Sequence, residues 1–134
     1  MLSNDITIRV RYAETDQMGY VYYGHYAAYF EVARVEMLRS IGFTYKKLEE
    51  EGVILPVLEF SIKYFRPAYY DNLLTIKTTI SELPGARIRF QYETYNETME
   101  LLNKAETTLV FVNKTTGKPS VPPADLMEVM KSYF

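Results

Sequence analysis

Thirteen residues, "ETDQMGYVYYGHY" from Glu14 to Tyr26, bring together two acids, two glycines, four tyrosines and the only histidine of a 134-residue chain. An ionised carboxylate such as that of Asp16 can take a proton from water or attack an electrophilic carbon itself. A helix starting just beyond it supplies N–H groups without intrahelical partners and a favourable dipole. The N–H groups around Tyr23 and Gly24 are therefore placed to hold a developing oxyanion. Gly19 and Gly24 let the backbone turn tightly and approach a ligand closely. The same residues have plainer uses. Asp16 can accept hydrogen bonds in a turn or cap the helix. Tyr22 and Tyr26 suit packing and interfaces. His25 can bond to the Asp16 loop from the first helical turn.

The flanking elements must position these groups. Upstream, "ITIRVRY" alternates Ile6, Ile8, Val10 and Tyr12 with Thr7, Arg9 and Arg11, the period of a half-buried strand. Downstream, Tyr26, Tyr29, Phe30, Ala33, Met37 and Ile41 recur at helical spacing on one face. Ala27, Ala28, Val32 and Val35 widen the apolar surface, so the helix is expected to be buried on most sides. Glu31 and Arg34 are spaced to pair across one turn. Gly42 fits a helix stop, and "TYKKLEEEG" reads as a short exposed helical turn.

Strands follow in series. "LEFSIKYF" puts Leu58, Phe60, Ile62 and Tyr64 on one face. "LLTIKTTI", "ARIRFQYETY" and "AETTLVFVN" continue the pattern, with hairpin turns at Pro84-Gly85 and "NETME". After Pro122-Pro123, "ADLMEVMKSY" predicts a terminal helix. Hairpins favour antiparallel pairing, and one long apolar helix is best buried by a sheet that wraps it. The expected class is α+β, in a single domain over residues 1–134.

Composition excludes several functions. Net charge is -2 with the signs interspersed, which gives no electrostatic case for nucleic acid. There is no cysteine, so disulfides and thiolate-metal sites are excluded, and no ligand spacing points to a metal. No run approaches the ~20 apolar residues of a membrane span. The start "MLSNDITIRV" lacks the basic and apolar regions of a signal peptide. A cytoplasmic protein is the expectation.

"RYAETDQMGYVYYGHYAAYFEVARVEML" resembles the signature of the hotdog-fold acyl-CoA thioesterases, of the 4-hydroxybenzoyl-CoA thioesterase and YbgC types. Asp16, Gly19, Val21-Tyr22 and Tyr26 carry the pattern, and Glu31, Ala33 and Arg34 extend it. "YFRPAYYDNLLTI" is similar to the family's connection between its second and third strands. The resemblance implies a five-stranded antiparallel sheet around the helix, two chains joining their sheets, and sites at the dimer interface. It also implies a catalytic Asp16 and a Tyr23 backbone N–H that polarises the thioester carbonyl. Many YbgC-type relatives have His where this chain has Tyr23; the histidine here is His25, where relatives often carry Asn.

The expected activity is hydrolysis of a small or medium acyl-CoA to free acid and CoA. Asp16 and the Tyr23 N–H form the catalytic set; Gly24, His25, Tyr22 and Arg87 are candidate substrate contacts. Arg87, beside the Pro84-Gly85 turn, lies where the resemblance places coenzyme A phosphates; a solvated strand charge is the plainer reading. No cofactor is needed, since coenzyme A belongs to the substrate. A homodimer, paired again into a homotetramer, is expected. The alternative is a non-catalytic hotdog protein that binds acyl-CoA or a protein partner. A hotdog dehydratase is disfavoured, because its His and acid arrangement finds no place with His25 as the only histidine.

Overall fold

The computed structural model describes residues 1–134. Its principal sheet has five antiparallel strands in the order β1-β4-β5-β6-β3. They are β1 (Leu2–Arg9), β3 (Val57–Tyr64), β4 (Leu73–Ile80), β5 (Arg87–Tyr95) and β6 (Leu101–Val110). Helix α1 (His25–Ser40) lies against one face. A short helix α2 (Tyr45–Glu50), a small ribbon of β2 (Val53–Ile54) with β7 (Val112–Asn113), and α3 (Ala124–Lys131) complete the chain. This is the expected α+β architecture.

The alternation of period two explains the helix-facing side of the sheet. Leu74, Ile76 and Ile80 on β4, and Ile88, Phe90 and Tyr92 on β5, are all buried. Against them α1 sets Tyr26, Tyr29, Phe30, Ala33 and Met37, the face read from helical spacing, with Leu38 added. Phe30 is the centre of this contact: its ring stacks on Tyr92 with centroids 4.4 Å apart. The helix stops as Gly42 implies. Gly42 takes φ +93°, the Gly42 N–H donates to Arg39 O and the Phe43 N–H to Leu38 O. These two bonds satisfy carbonyls that the helix end leaves open.

Four expectations are corrected. Tyr12 does not end β1 facing inward; a 3-10 turn over Tyr12–Glu14 takes it out, and it is 77% exposed. Ala27, Ala28 and Val32 are exposed, because the sheet covers only one side of α1. Arg34 does not pair with Glu31; it is buried and its Nε donates to the Tyr45 hydroxyl at 3.2 Å. β3 has its register interrupted between Val57 and Glu59, and as an edge strand it leaves Leu58, Phe60 and Tyr64 between 41% and 49% exposed.

One buried acid joins the loop before α1 to the helix. Glu14 Oε1 accepts from the Arg11 N–H and from the Tyr29 hydroxyl, both at 2.8 Å, while Oε2 accepts from Arg11 Nη2 at 3.1 Å. The Glu14 carbonyl takes the Tyr22 N–H at 2.9 Å. Burial by itself pushes this carboxyl up. The hydrogen bonds from the Arg11 backbone, Tyr29 and the Arg11 side chain, with the guanidinium charge, together outweigh it and hold the group below its usual 4.5.

A depressed carboxyl stabilises the fold fully above its unfolded value, and that contribution is lost as pH falls through the folded value. Glu14→Gln should therefore lower stability at pH 7 by about 1–3 kcal/mol, the scale of hydrogen bonds to a charged group. The gap to wild type should narrow once pH drops below 4.5. Chemical denaturation at both pH values checks this; a gap of constant size would mean that the charge does not hold the loop.

Candidate active site at the head of the long helix

Asp16 sits two residues beyond the Glu14 anchor, in a tight turn. Its N–H donates to Tyr20 O and its carbonyl accepts from the Gly19 N–H, each at 3.0 Å. Gly19 has φ +87°, the conformation for which glycine is suited. Asp16 Oδ1 accepts the Met18 N–H at 2.9 Å, the turn role that Asp commonly plays. No hydrogen bond from the chain reaches Oδ2, and the residue is half-buried. The turn role and an available carboxylate oxygen thus coexist in one side chain.

The backbone then enters α1. The Tyr22 N–H is taken by Glu14 and the His25 N–H by Tyr22 O, whereas the N–H groups of Tyr23 and Gly24 donate to nothing in the chain. Two open donors at a helix start, beside a carboxylate, make a place where negative charge can develop. Gly24 caps the helix with φ -65°, so positive φ is not its reason here. What it supplies is room: a Cβ would come within 2.8 Å of the Tyr22 ring.

Asp16, Tyr22 and Tyr23 line a cleft of about 470 Å³, a size that suits a small molecule. The opposite wall is the end of β3 and the segment after it: Tyr64, Phe65, Arg66 and Pro67. Arg66 is held by Glu100 at 3.1 Å. Tyr26 lies below, 2% exposed, and burial drives its phenol well above the usual range. The walls are tied together by a bridge between Tyr20 and Tyr69 and by the Val21 N–H, which donates to Ala68 O at 2.9 Å.

His25 is the first residue of α1 but is not among the lining residues. No hydrogen bond joins it to the Asp16 turn; its ring meets Tyr22 edge-on at 6.1 Å. Arg87 is not brought to the cleft. It opens β5, seven residues from Thr94, which is linked through Asn103 to Tyr64 on the cleft wall. That separation along a strand is roughly 23 Å. Within the wall from Tyr64 to Pro67, the sequence marks Tyr64 only as a strand residue, and Phe65 and Pro67 only as part of "YFRPAYYDNLLTI".

The thioesterase-like superfamily matches the chain over residues 10–130. Among relatives, YneP of Bacillus subtilis is 38% identical over 112 residues, covering 84% of this chain and 81% of that protein. The acyl-CoA thioester hydrolase YbgC of Escherichia coli O157:H7 is 36% identical over 124 residues, covering 92% of each. The crystal structure of a DHNA-CoA thioesterase from Staphylococcus aureus superposes with a TM-score of 0.95 at 33% identity, covering 99% of this chain and 91% of that one. On these likenesses the chain belongs to the thioesterase-like superfamily, as one of its hotdog-fold acyl-CoA thioesterases.

Proposed function

We propose that the protein hydrolyses the thioester bond of a small or medium acyl-CoA to the free acid and CoA at the Asp16 cleft. One observation carries the reading: a half-buried carboxylate with an open oxygen lies in the same cleft as Tyr23, at a helix start whose N–H groups are unpaired. The thioester carbonyl oxygen points to the Tyr23 N–H, with Gly24 beside it. Asp16 either takes a proton from the attacking water or attacks the carbonyl carbon itself. In the first route a tetrahedral oxyanion forms, and its collapse breaks the C–S bond. In the second, expulsion of the thiolate leaves an anhydride on Asp16, which water then opens. Both routes place negative charge where the open donors can receive it. Tyr22 and Tyr23 supply apolar wall, and His25 supports Tyr22. No cofactor enters, and the expected home is the cytoplasm.

The reading includes assembly. β3 is an unpaired edge, and Val57, Leu58, Phe60, Tyr64 and Phe65 leave apolar surface along it. A second copy that pairs there covers this surface and extends the sheet. Tyr64 and Phe65 also line the cleft, so the same contact sets the site's outer wall. Dimers paired again give a tetramer.

Asp16→Asn keeps size and turn hydrogen bonding but can neither accept a proton from water nor attack. Its kcat should fall at least ~10²-fold, with KM within a fewfold, since the loss falls on the transition state. Tyr23→Phe keeps the backbone N–H and should stay near the wild-type rate. Steady-state hydrolysis across an acyl-CoA panel, with circular dichroism to verify folding, is the measurement. Normal turnover in Asp16→Asn would leave a binding protein as the better description.

Phe60→Lys places a charge on the β3 edge. Light scattering should show a dimer or tetramer for wild type and a shift toward monomer for the variant, with activity falling alongside. A fully active wild-type monomer would refute the assembly.

A further inference from the structure

Edge strand β3 carries its charges at symmetric places. Its regular part is bounded at both ends: the register with β6 shifts between Val57 and Glu59, and beyond Tyr64 the N–H groups of Phe65 and Arg66 both donate to Leu102 O. Within these bounds the chain runs Glu59, Phe60, Ser61, Ile62, Lys63. The Phe60 ring meets Phe30 of α1 at 6.0 Å and the Tyr64 ring meets Tyr26 at 5.8 Å, so the even-numbered residues face the helix. Glu59, Ser61 and Lys63 therefore stand on the outer face of the sheet.

Neither charge is answered within the chain. No ion pair takes Glu59 or Lys63. Four positions apart on a strand, they are roughly 13 Å from each other. Lys63 stands instead directly across from Lys104 of β6, and like charges so placed destabilise a sheet. The row continues from Lys104 to Glu93, Lys77 and Asp5. Signs alternate along it everywhere except at the β3 end, where the row is one acid short.

A second copy joined edge to edge supplies that acid in one register of β3 on β3. In an antiparallel pair, residues directly opposite put their side chains on the same face. A two-fold axis makes the residue numbers of every facing pair add to a constant. The shared face makes that constant even, so the axis passes through a residue. Centred on Phe60 or Ile62, the pairing sets Lys63 against Val57 or Ser61. Centred on Glu59 or Lys63, it sets like charge on like charge. Centred on Ser61, it sets Glu59 of each copy against Lys63 of the other, and Phe60 against Ile62.

We infer that two copies of this chain pair their β3 strands about Ser61, with a Glu59–Lys63 ion pair on either side of the axis. The inference rests on the assembly put forward with the proposed function and deepens it. It also names what the second copy brings to the cleft. Leu58 of each copy reaches Tyr64 of the other, a residue of the outer wall. Leu58 and Tyr64 are 49% and 46% exposed in the single chain, and in this register each covers the other.

Charge reversal tests the ion pairs. Glu59→Lys and Lys63→Glu each turn two attractions into two repulsions, so each should raise the dimer Kd roughly 10- to 100-fold at low salt. Mixed together, the two variants meet with opposite charges at both places. They should form a heterodimer near the wild-type Kd, and the hydrolytic rate that each variant loses alone should return. Sedimentation and native mass spectrometry, with one variant isotope-labelled, give the readout. Cysteine substitution tests the register in a chain that has no cysteine of its own. Ser61→Cys should cross-link to itself on mild oxidation, because facing Cα atoms lie about 5 Å apart, within disulfide reach. Phe60→Cys and Ile62→Cys should not, since each meets its own copy only on the diagonal, about 7–8 Å away. Cross-linking at either of these in place of Ser61→Cys, or charge variants that dimerise like wild type, overturns the register and leaves the assembly standing. A wild-type monomer overturns both, and its hydrolysis of acyl-CoA is scored separately. If a charge variant does not fold, the cysteine series decides.

Discussion

The head of α1 depends on one carboxylate taken out of water. Removing Glu14 from solvent is costly, and only a full set of donors makes it favourable. Arg11 and Tyr29 provide them from two directions, while the Glu14 backbone carbonyl holds Tyr22. Strand, turn and helix are thereby fixed to one point. This divides labour between two acids close in sequence. Glu14 is spent on holding the backbone, and Asp16, two residues on, keeps one oxygen open.

The same logic explains why the cleft has firm walls although loops build it. The segment carrying Asp16 is stitched to the connection after β3 at several points: Tyr20 with Tyr69, Val21 with Ala68, and Val10 with Asn72. These are main-chain contacts, so they fix the path of the chain whatever side chains it carries. The tyrosines standing on it then set the shape of the cleft. Their abundance follows from the place they occupy, which is apolar on one side and open to water on the other.

What was legible in the sequence follows the range of each interaction. The buried face of α1 from Tyr26 to Met37, the helix stop at Gly42 and the alternation of β4 and β5 are local patterns, and all could be read. Asp16 stood out through its setting and its family resemblance. The failures share a cause. Spacing allowed Glu31 to meet Arg34, but Tyr45 took the guanidinium. Alternation placed Phe60 and Tyr64 on one face, yet it says nothing about what covers that face. Glu14 lies close to Asp16 in the chain but carries no local mark, since its importance comes from Tyr29, fifteen residues away.

The position of β3 at the sheet edge also has a consequence during synthesis. Its partner in the sheet is β6, in a register that runs from Val57 with Leu109 to Tyr64 with Asn103. Those pairs are 109 − 57 = 52 and 103 − 64 = 39 residues apart. At a translation rate of about 5–20 residues per second, β3 waits roughly 2–10 seconds for the strand that will hold it. Throughout that interval an apolar strand stands ready to pair with whatever passes, other growing chains included. The edge that the proposed dimer would pair is thus, on the ribosome, a segment that a chaperone would serve by covering.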